Sequence, residues 1–319
     1  MTTALLSVRN LVKHYHRPGL LGALASAAPA VDGASLEVRE GEVLGLIGES
    51  GCGKTTLVRT ALGLLRSDGG QIHLLGQDLA TLQPRGLHAL RRNAQLLVQN
   101  PDASLNPGLR VSALLRESAR LHRAGDDPEA VARAAAARVG LAERFDAWPH
   151  ELSGGEKRRV GIARLMMASP RLTVADEPTA GLDAALKAEI VDLLLGARDA
   201  SRGYLIISHD LPMVLYACNR VSVMYAGRIL EEVGVPDLGR VAHHPYTDAL
   251  LSAGGIATPE RSPLRQRSQG RFSPGCVWLG PCPWADPRCQ TQRPVLRPAR
   301  GGEAHRMACH VRALEGSPL

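Results

Sequence analysis

The sequence predicts an α/β fold, and three observations predict it. An apolar run at Val43–Gly48 has the composition of a short buried strand, and it leads directly into the glycine-rich GESGCGKT, Gly48–Thr55. After Lys54 the stretch TTLVRTALGLL carries apolar residues at helical spacing, so strand, loop and helix follow one another. A second apolar run, Leu172–Ala175, ends on the adjacent carboxylates Asp176 and Glu177. That is a buried strand with an acidic tip.

The first 41 residues are β-rich: VRNLVKHY and the alternating AVDGASLEV both fit short strands. Between them, Pro18–Val31 is broken by glycine and proline, which predicts a loop and not a signal peptide. Gly48, Glu49, Ser50, Gly51, Cys52, Gly53, Lys54 and Thr55 then match G-x-x-x-x-G-K-[ST] at every fixed position, with Thr56 next on the helix. Glycines let backbone N–H groups wrap closely around an anion, and the positive end of the helix faces it too. This pattern predicts a bound nucleoside triphosphate, with Lys54 reaching the β and γ phosphates and Thr55 offering its hydroxyl to Mg2+.

From about 102 to 152 the alanine- and arginine-rich pattern is helical. ELSGGEKRR follows, with Ser153, Gly154 and Gly155 opening a long helical segment and making a second anion-binding surface. At the acidic tip Asp176 can hold Mg2+ through water, and Glu177 can polarise a water attacking the γ phosphate. Beyond the apolar strand Tyr204–Ile207 comes His209, then strand and turn in RVSVMYAGRILEEV, then HHPYTDALLSAG. Thr258–Ser273 is a Pro/Arg/Ser-rich linker.

A chain that carries both this phosphate loop and LSGGE resembles the nucleotide-binding subunits of ABC (ATP-binding cassette) proteins, over about residues 5–255. The resemblance implies a P-loop NTPase core with an antiparallel β subdomain, an inserted helical subdomain and a small Cys-rich C-terminal extension. It divides the chain into an ATP-binding domain, 1–255, and an extension, 256–319. It also implies a head-to-tail pair of cassettes, in which the loop of one and the LSGG of the other sandwich each ATP. Tyr15 matches the aromatic that stacks on adenine, and Gln99 the glutamine that senses Mg2+ and water. Asp183 in AGLD matches the loop that crosses the dimer interface, and His209 the histidine that contacts the γ phosphate. Catalysis would rest on Glu177, His209 and Gln99, and Mg2+ on Thr55, Gln99 and Asp176. Two departures stand out: Glu156 where glutamine is usual, and a glycine in AGLD. Neither removes a phosphate ligand.

QNPDASLNP, HPYTDALL and the cysteine-bearing tail together resemble ATPases of bacterial dipeptide/oligopeptide importers, whose close relatives import nickel. The resemblance implies a second ATPase, of the same or a different chain, two inner-membrane permease subunits, and an extracytoplasmic solute-binding protein acting through them. The helical subdomain would present the surface that grips the permeases. Two other classes stay open on the sequence: a soluble repair or translation ATPase of the same family, and a subunit of a non-transport complex of the carbon-phosphorus bond-cleavage type.

Composition fits a subunit at the cytoplasmic face of the membrane and not a pore. The chain has 319 residues, 45% of them hydrophobic, and no apolar run of membrane-spanning length, roughly 18 residues. Its formal charge of +7 is concentrated in the tail, where residues 256–319 hold ten arginines against four acids. That tail lacks the interleaved aromatics of a base-stacking platform, which argues against nucleic acid as a partner.

Of six cysteines, Cys276, Cys282, Cys289 and Cys309 cluster near the C-terminus. In a reducing compartment such a group reads as metal ligands more readily than as disulfides. The spacings are wider than those of common zinc knuckles, and four thiolates suit a [4Fe-4S] cluster, zinc, or no metal at all. In the peptide-importer ATPases that the tail resembles, the quartet is associated with a [4Fe-4S] cluster. The expectation is a centre with a structural role, far from the ATP phosphates.

Overall fold

The computed structural model describes residues 3–15, 28–123, 125–196, 198–258, 274–299 and 304–313. Most of the loop expected at Pro18–Val31, and all but the first residue of the linker expected at Thr258–Ser273, lie outside the described residues.

In chain order the elements are β1 (Ala4–Lys13), β2 (Val31–Arg39), β3 (Val43–Ile47), α1 (Lys54–Ala61), β4 (Gly69–Leu74), β5 (Gln77–Asp78), α2 (Pro84–Arg92) and β6 (Ala94–Leu97). Then come α3 (Val111–His122), α4 (Pro128–Arg138), α5 (Gly154–Ala168), β7 (Leu172–Asp176), α6 (Ala184–Leu195), β8 (Gly203–Ile207) and α7 (Leu211–Ala217). The last are β9 (Arg220–Tyr225), β10 (Arg228–Gly234), α8 (Pro245–Ala253), α9 (Arg288–Thr291), β11 (Arg297–Pro298) and β12 (Arg306–Met307). The chain forms two compact units, one made of Met1–Leu5, Val38–Glu42 and Thr81–Ile207, the other of Leu6–Glu37, Val43–Ala80 and Ser208–Leu319.

In the first unit β6, β7 and β8 run parallel, with Leu96 opposite Val174 and Val174 opposite Leu205. Every residue of β7 and β8 is buried, as expected of parallel strands covered on both faces. The helical part packs α3 on α4 and α5. Val111, Leu114, Leu115 and Ala119 form the buried stripe of α3, and Ala132, Ala135 and Ala136 that of α4, so small side chains let the helices approach closely. Asp127 caps α4 by accepting the N–H groups of Glu129 and Ala130.

The second unit holds a four-stranded sheet ordered β2-β1-β4-β5, with β1 antiparallel to β4 and β4 to β5. Strand β3, which leads into the phosphate loop, pairs in parallel with β9. Strands β9 and β10 form a hairpin whose tip, Ala226 and Gly227, has positive φ at both residues, the tight turn that matches strand twist. The C-terminal segment then adds to the edge of β10. Glu231 and Glu232 register with Met307 and Arg306 of β12, and β12 pairs with β11.

Candidate functional site

The phosphate loop is built by exclusion. At Gly48 (φ +151°) a Cβ would lie 2.1 Å from the Met224 carbonyl oxygen, and at Gly53 (φ +112°) 2.2 Å from that of Ala30. Only glycine fits at either place, so these two positions set the path of the loop. Lys54 opens α1 and is 7% exposed. Its ammonium donates to the carbonyls of Gly48 at 2.7 Å and Glu49 at 2.9 Å, with Cys52 Sγ at 3.8 Å. Burial pushes the Cys52 thiol up in spite of the nearby Lys54, so the sulfur stays neutral beside the lysine. Tyr15 is 49% exposed, and its hydroxyl lies 3.2 Å from Thr56 Oγ1 at the start of α1. Its ring is available to stack on a flat ligand.

Asp176 ends β7 and Glu177 follows it, both buried. Glu177 has φ +50°, a left-handed conformation that costs a non-glycine residue free energy. Its N–H donates to the Ile207 carbonyl at 2.9 Å. The chain therefore turns sharply at this carboxylate. Arg158 of α5 is buried and donates to Ala180 O at 3.0 Å and Gln99 O at 3.2 Å. One guanidinium thus ties the helix after LSGG both to the segment after Glu177 and to Gln99.

Ser153 caps α5: its Oγ accepts the N–H of Glu156, and the Glu156 carboxylate accepts the N–H of Ser153 at 2.8 Å. This is a capping box, which a glutamate or a glutamine at the third helical position satisfies equally. The departure at Glu156 therefore keeps the local structure. A Cβ on Gly154 would meet nothing within 4 Å, leaving that backbone open, whereas one on Gly155 would lie 2.9 Å from Leu186 Cδ2. Asp183 accepts the Leu186 N–H at 2.9 Å and caps α6, and Asp210 caps α7 beside the exposed His209.

The four C-terminal cysteines are free thiols of the second unit, Cys276 and Cys289 buried, Cys282 and Cys309 partly so. Cys276 N–H donates to Cys289 O at 2.9 Å, and a Cβ on Gly275 would lie 2.2 Å from that same oxygen, so the two segments cross tightly there. Burial pushes the thiol of Cys276 up to about 12 and that of Cys282 up to about 11, and the neighbouring thiols push the same way. Converting them to thiolates together requires a cation among them. Among the described residues these thiols do not form a group with ligand atoms close enough to share a single ion.

The cysteine-bearing segment is connected to the phosphate loop through aromatic side chains. Trp278, two residues after Cys276, packs against Tyr246 and Tyr225 with ring centroids 5.0 Å away in each case. The Tyr246 hydroxyl in turn accepts the N–H of Glu49 at 2.9 Å. Two side chains bridge the cysteine segment and the loop.

A second cluster was not visible in the sequence. Glu231 of β10 is fully buried, yet its Oε1 lies 2.7 Å from His243 Nδ1 and 2.6 Å from His305 Nε2, and its Oε2 accepts the His244 N–H at 2.9 Å. Burial alone would raise this carboxyl, but the two imidazoles outweigh it and bring it to about 2. The donor atoms of Glu231, His243 and His305 are close enough to surround a metal. However, His243 Nε2 accepts the Gly239 N–H at 3.0 Å, which places the ring proton on Nδ1, facing the carboxylate. The trio is a hydrogen-bonded clamp on the C-terminal segment. Arg312 adds a buried ion pair to Asp248 of α8 and stacks on Trp284.

With this geometry in view, residues 31–180 match the family model described as ABC transporter. The chain is 40% identical over 96% of its length, and 98% of the other's, to a protein of Brucella ovis named as a peptide import ATP-binding protein. The chain belongs to the ABC transporter ATP-binding family. It is 37% identical to the oligopeptide transport ATP-binding protein AppF of Bacillus subtilis, covering 96% of this chain and 97% of that one. The ATP-binding cassette MJ0796, solved as a dimer in a post-hydrolysis state with ADP and phosphate, is 24% identical and shares the fold, with a TM-score of 0.64 over 72% of this chain and 98% of that one. The protein is an ABC-type ATPase that uses ATP and Mg2+. Among its described residues no helix is long and apolar enough to cross a membrane.

Proposed function

We propose that this ATPase energises a bacterial importer of peptides or related small solutes such as nickel, from the cytoplasmic face of the inner membrane. The observation that carries the reading is the likeness to peptide-import ATP-binding proteins over nearly the whole chain, cysteine-bearing tail included. Lys54 and the N–H groups of residues 48–56 bind the ATP phosphates, and Tyr15 stacks on the adenine. Thr55, Asp176 and Gln99 hold Mg2+, whose charge offsets that of the phosphates. Glu177 polarises the attacking water, and His209 contacts the γ phosphate. Ser153, Gly154 and Gly155, with Asp183, serve the ATP of a second cassette, identical or different.

Closure on ATP and reopening after hydrolysis would drive two permease subunits. A cleft in the first unit suits their docking: Arg91, Arg92 and Arg164 line it with Leu96, Leu121 and Leu165. Such a lining favours a short amphipathic segment with acidic side chains. Within this reading the chain divides at about 255 into cassette and extension, with the helical part at about 102–152. The four cysteines of the extension would hold a [4Fe-4S] cluster, with zinc and unmetallated thiols as the other outcomes of the test below.

Co-expression with permease and binding-protein subunits of a peptide importer from the same organism, followed by reconstitution in liposomes, tests the function. Peptide-loaded binding protein is expected to stimulate ATP hydrolysis. Stimulation by a different class of solute alone, or assembly with a non-membrane enzyme complex, overturns the peptide reading.

A further inference from the structure

We propose that Tyr246 is a positioning residue for the phosphate loop and that Trp278 of the C-terminal segment holds it in place, so that seating of that segment sets nucleotide affinity. The inference rests on the nucleotide reading of Gly48–Thr55 given above.

Tyr246 is one of the most deeply buried large side chains of the protein. Its hydroxyl accepts the Glu49 N–H at 2.9 Å, while Lys54 Nζ donates to the Glu49 carbonyl at 2.9 Å. The Gly48–Glu49 peptide is thus held at both ends, its N–H by Tyr246 of α8 and its carbonyl by Lys54, which donates to Gly48 O at 2.7 Å. A peptide held at both ends cannot rotate, and the N–H groups that follow it keep their direction. Pre-oriented donors bind an anion without a further ordering cost.

Part of what holds Tyr246 comes from the C-terminal segment. Its ring packs 4.6 Å from that of Tyr225 and 5.0 Å from that of Trp278, and Trp278 stands edge-on to Tyr225 at 5.0 Å. Such aromatic contacts add to burial. A second path reaches the backbone of the same residue. His305 bonds Glu231, Glu231 accepts the His244 N–H, and His244 Nδ1 accepts the Tyr246 N–H at 3.1 Å. Ring and main chain of Tyr246 are both set by residues that the C-terminal segment contacts. No part of this arrangement requires a metal.

The test uses the full chain, a fluorescent ATP analogue, and amide exchange at Glu49. Tyr246→Phe keeps the ring and removes the acceptor; it is expected to weaken nucleotide binding about three- to tenfold, the range for one hydrogen bond. Exchange at the Glu49 amide should speed up by a similar factor while the melting temperature changes little. Trp278→Leu should act in the same direction, and Trp278→Phe should restore most of the affinity. Nucleotide binding within about twofold of the parent in both Tyr246→Phe and Trp278→Leu overturns the inference. So does a loss that follows the melting temperature with Glu49 exchange unchanged. A parent protein that binds no nucleotide would instead sink the reading of the loop itself.

Discussion

Glu231 and His305, 74 residues apart, share a 2.6 Å hydrogen bond in which both side chains are buried. One stands on β10, the other just before β12, so the bond lies beside the strand pairing that joins the C-terminal segment to the sheet. A buried carboxylate is costly unless its lone pairs are satisfied, and here two imidazoles and one amide satisfy them. The clamp seats the segment by hydrogen bonding where an extension of this size has little core to bury.

Glu231→Ala should therefore loosen the C-terminal segment more than the rest of the molecule. Two imidazole N–H groups and a backbone N–H lose their acceptor, which costs about 2–4 kcal/mol in total. Chemical denaturation should show that loss, and limited proteolysis should cut within 256–319 first. Unchanged stability and an uncut tail would show that the strand pairing alone seats the segment.

His244 gives the molecule a pH dependence. Its Nδ1 accepts the Tyr246 N–H, which requires the neutral ring, and burial lowers its pKa from the ordinary 6.5 to about 4. Above pH 6.5 the imidazole is neutral in folded and unfolded chains alike. Between 6.5 and 4 the unfolded chain takes up a proton that the folded one refuses, so stability falls as pH falls, by up to about 3 kcal/mol. Asp248 works in the opposite sense: burial lifts its carboxyl to about 6 in spite of Arg312, so stability is lost as pH rises from 3.8 through 6. His244→Asn keeps a cap acceptor and removes the titration. Its melting temperature should hold or rise as pH drops from 6.5 to 4, relative to that of the parent. Parallel profiles for the two proteins would contradict the assignment.

The difference between what the sequence shows and what it hides is physical. A phosphate must be met by backbone N–H groups, so glycines at Gly48 and Gly53 and the lysine after them stand at fixed spacing, and the motif can be read from the chain. LSGGE is legible for a related reason: Ser153 and Glu156 cap one helix reciprocally, and a capping box has a fixed spacing. Tyr246 has no such constraint. It serves one N–H from 197 residues away, a distance at which no local pattern operates. The adjacent Glu231 and Glu232 read as an ordinary polar strand end, yet both are buried, because His243, His305, Arg220 and Arg306 come to them from other parts of the chain. HPYTDALL carries the family resemblance, and only the fold gives its tyrosine a role.

Glu177→Gln is expected to bind ATP as the parent does and to lose turnover by about 10²- to 10⁴-fold, the contribution typical of a general base. The amide keeps the size of the side chain and the turn at φ +50°, so fold and affinity are retained. Lys54→Ala differs in kind, because nucleotide binding itself weakens when the ammonium is removed. Equilibrium binding measured beside steady-state hydrolysis separates the two. A Glu177→Gln enzyme that keeps more than about a tenth of the parent rate would assign the base elsewhere.

The cysteines yield a prediction that does not depend on activity. Cys276 and Cys282 are buried enough that their thiols stay protonated without a cation, and each thiol opposes ionisation of the others. A centre that supplies positive charge reverses this, so metal binding should release protons and stiffen the segment at once. Protein purified without oxygen should be brown and contain acid-labile sulfide with about four irons per chain. Any single Cys→Ser change among Cys276, Cys282, Cys289 and Cys309 should bleach it. Colourless protein with one equivalent of zinc and no labile sulfide would replace iron-sulfur by zinc on the same four ligands. Because Trp278 joins this segment to Tyr246, loss of the centre should also loosen the Glu49 amide. A bleached variant in which Glu49 exchange is unchanged would separate the metal from the loop and leave the aromatic packing alone to connect them.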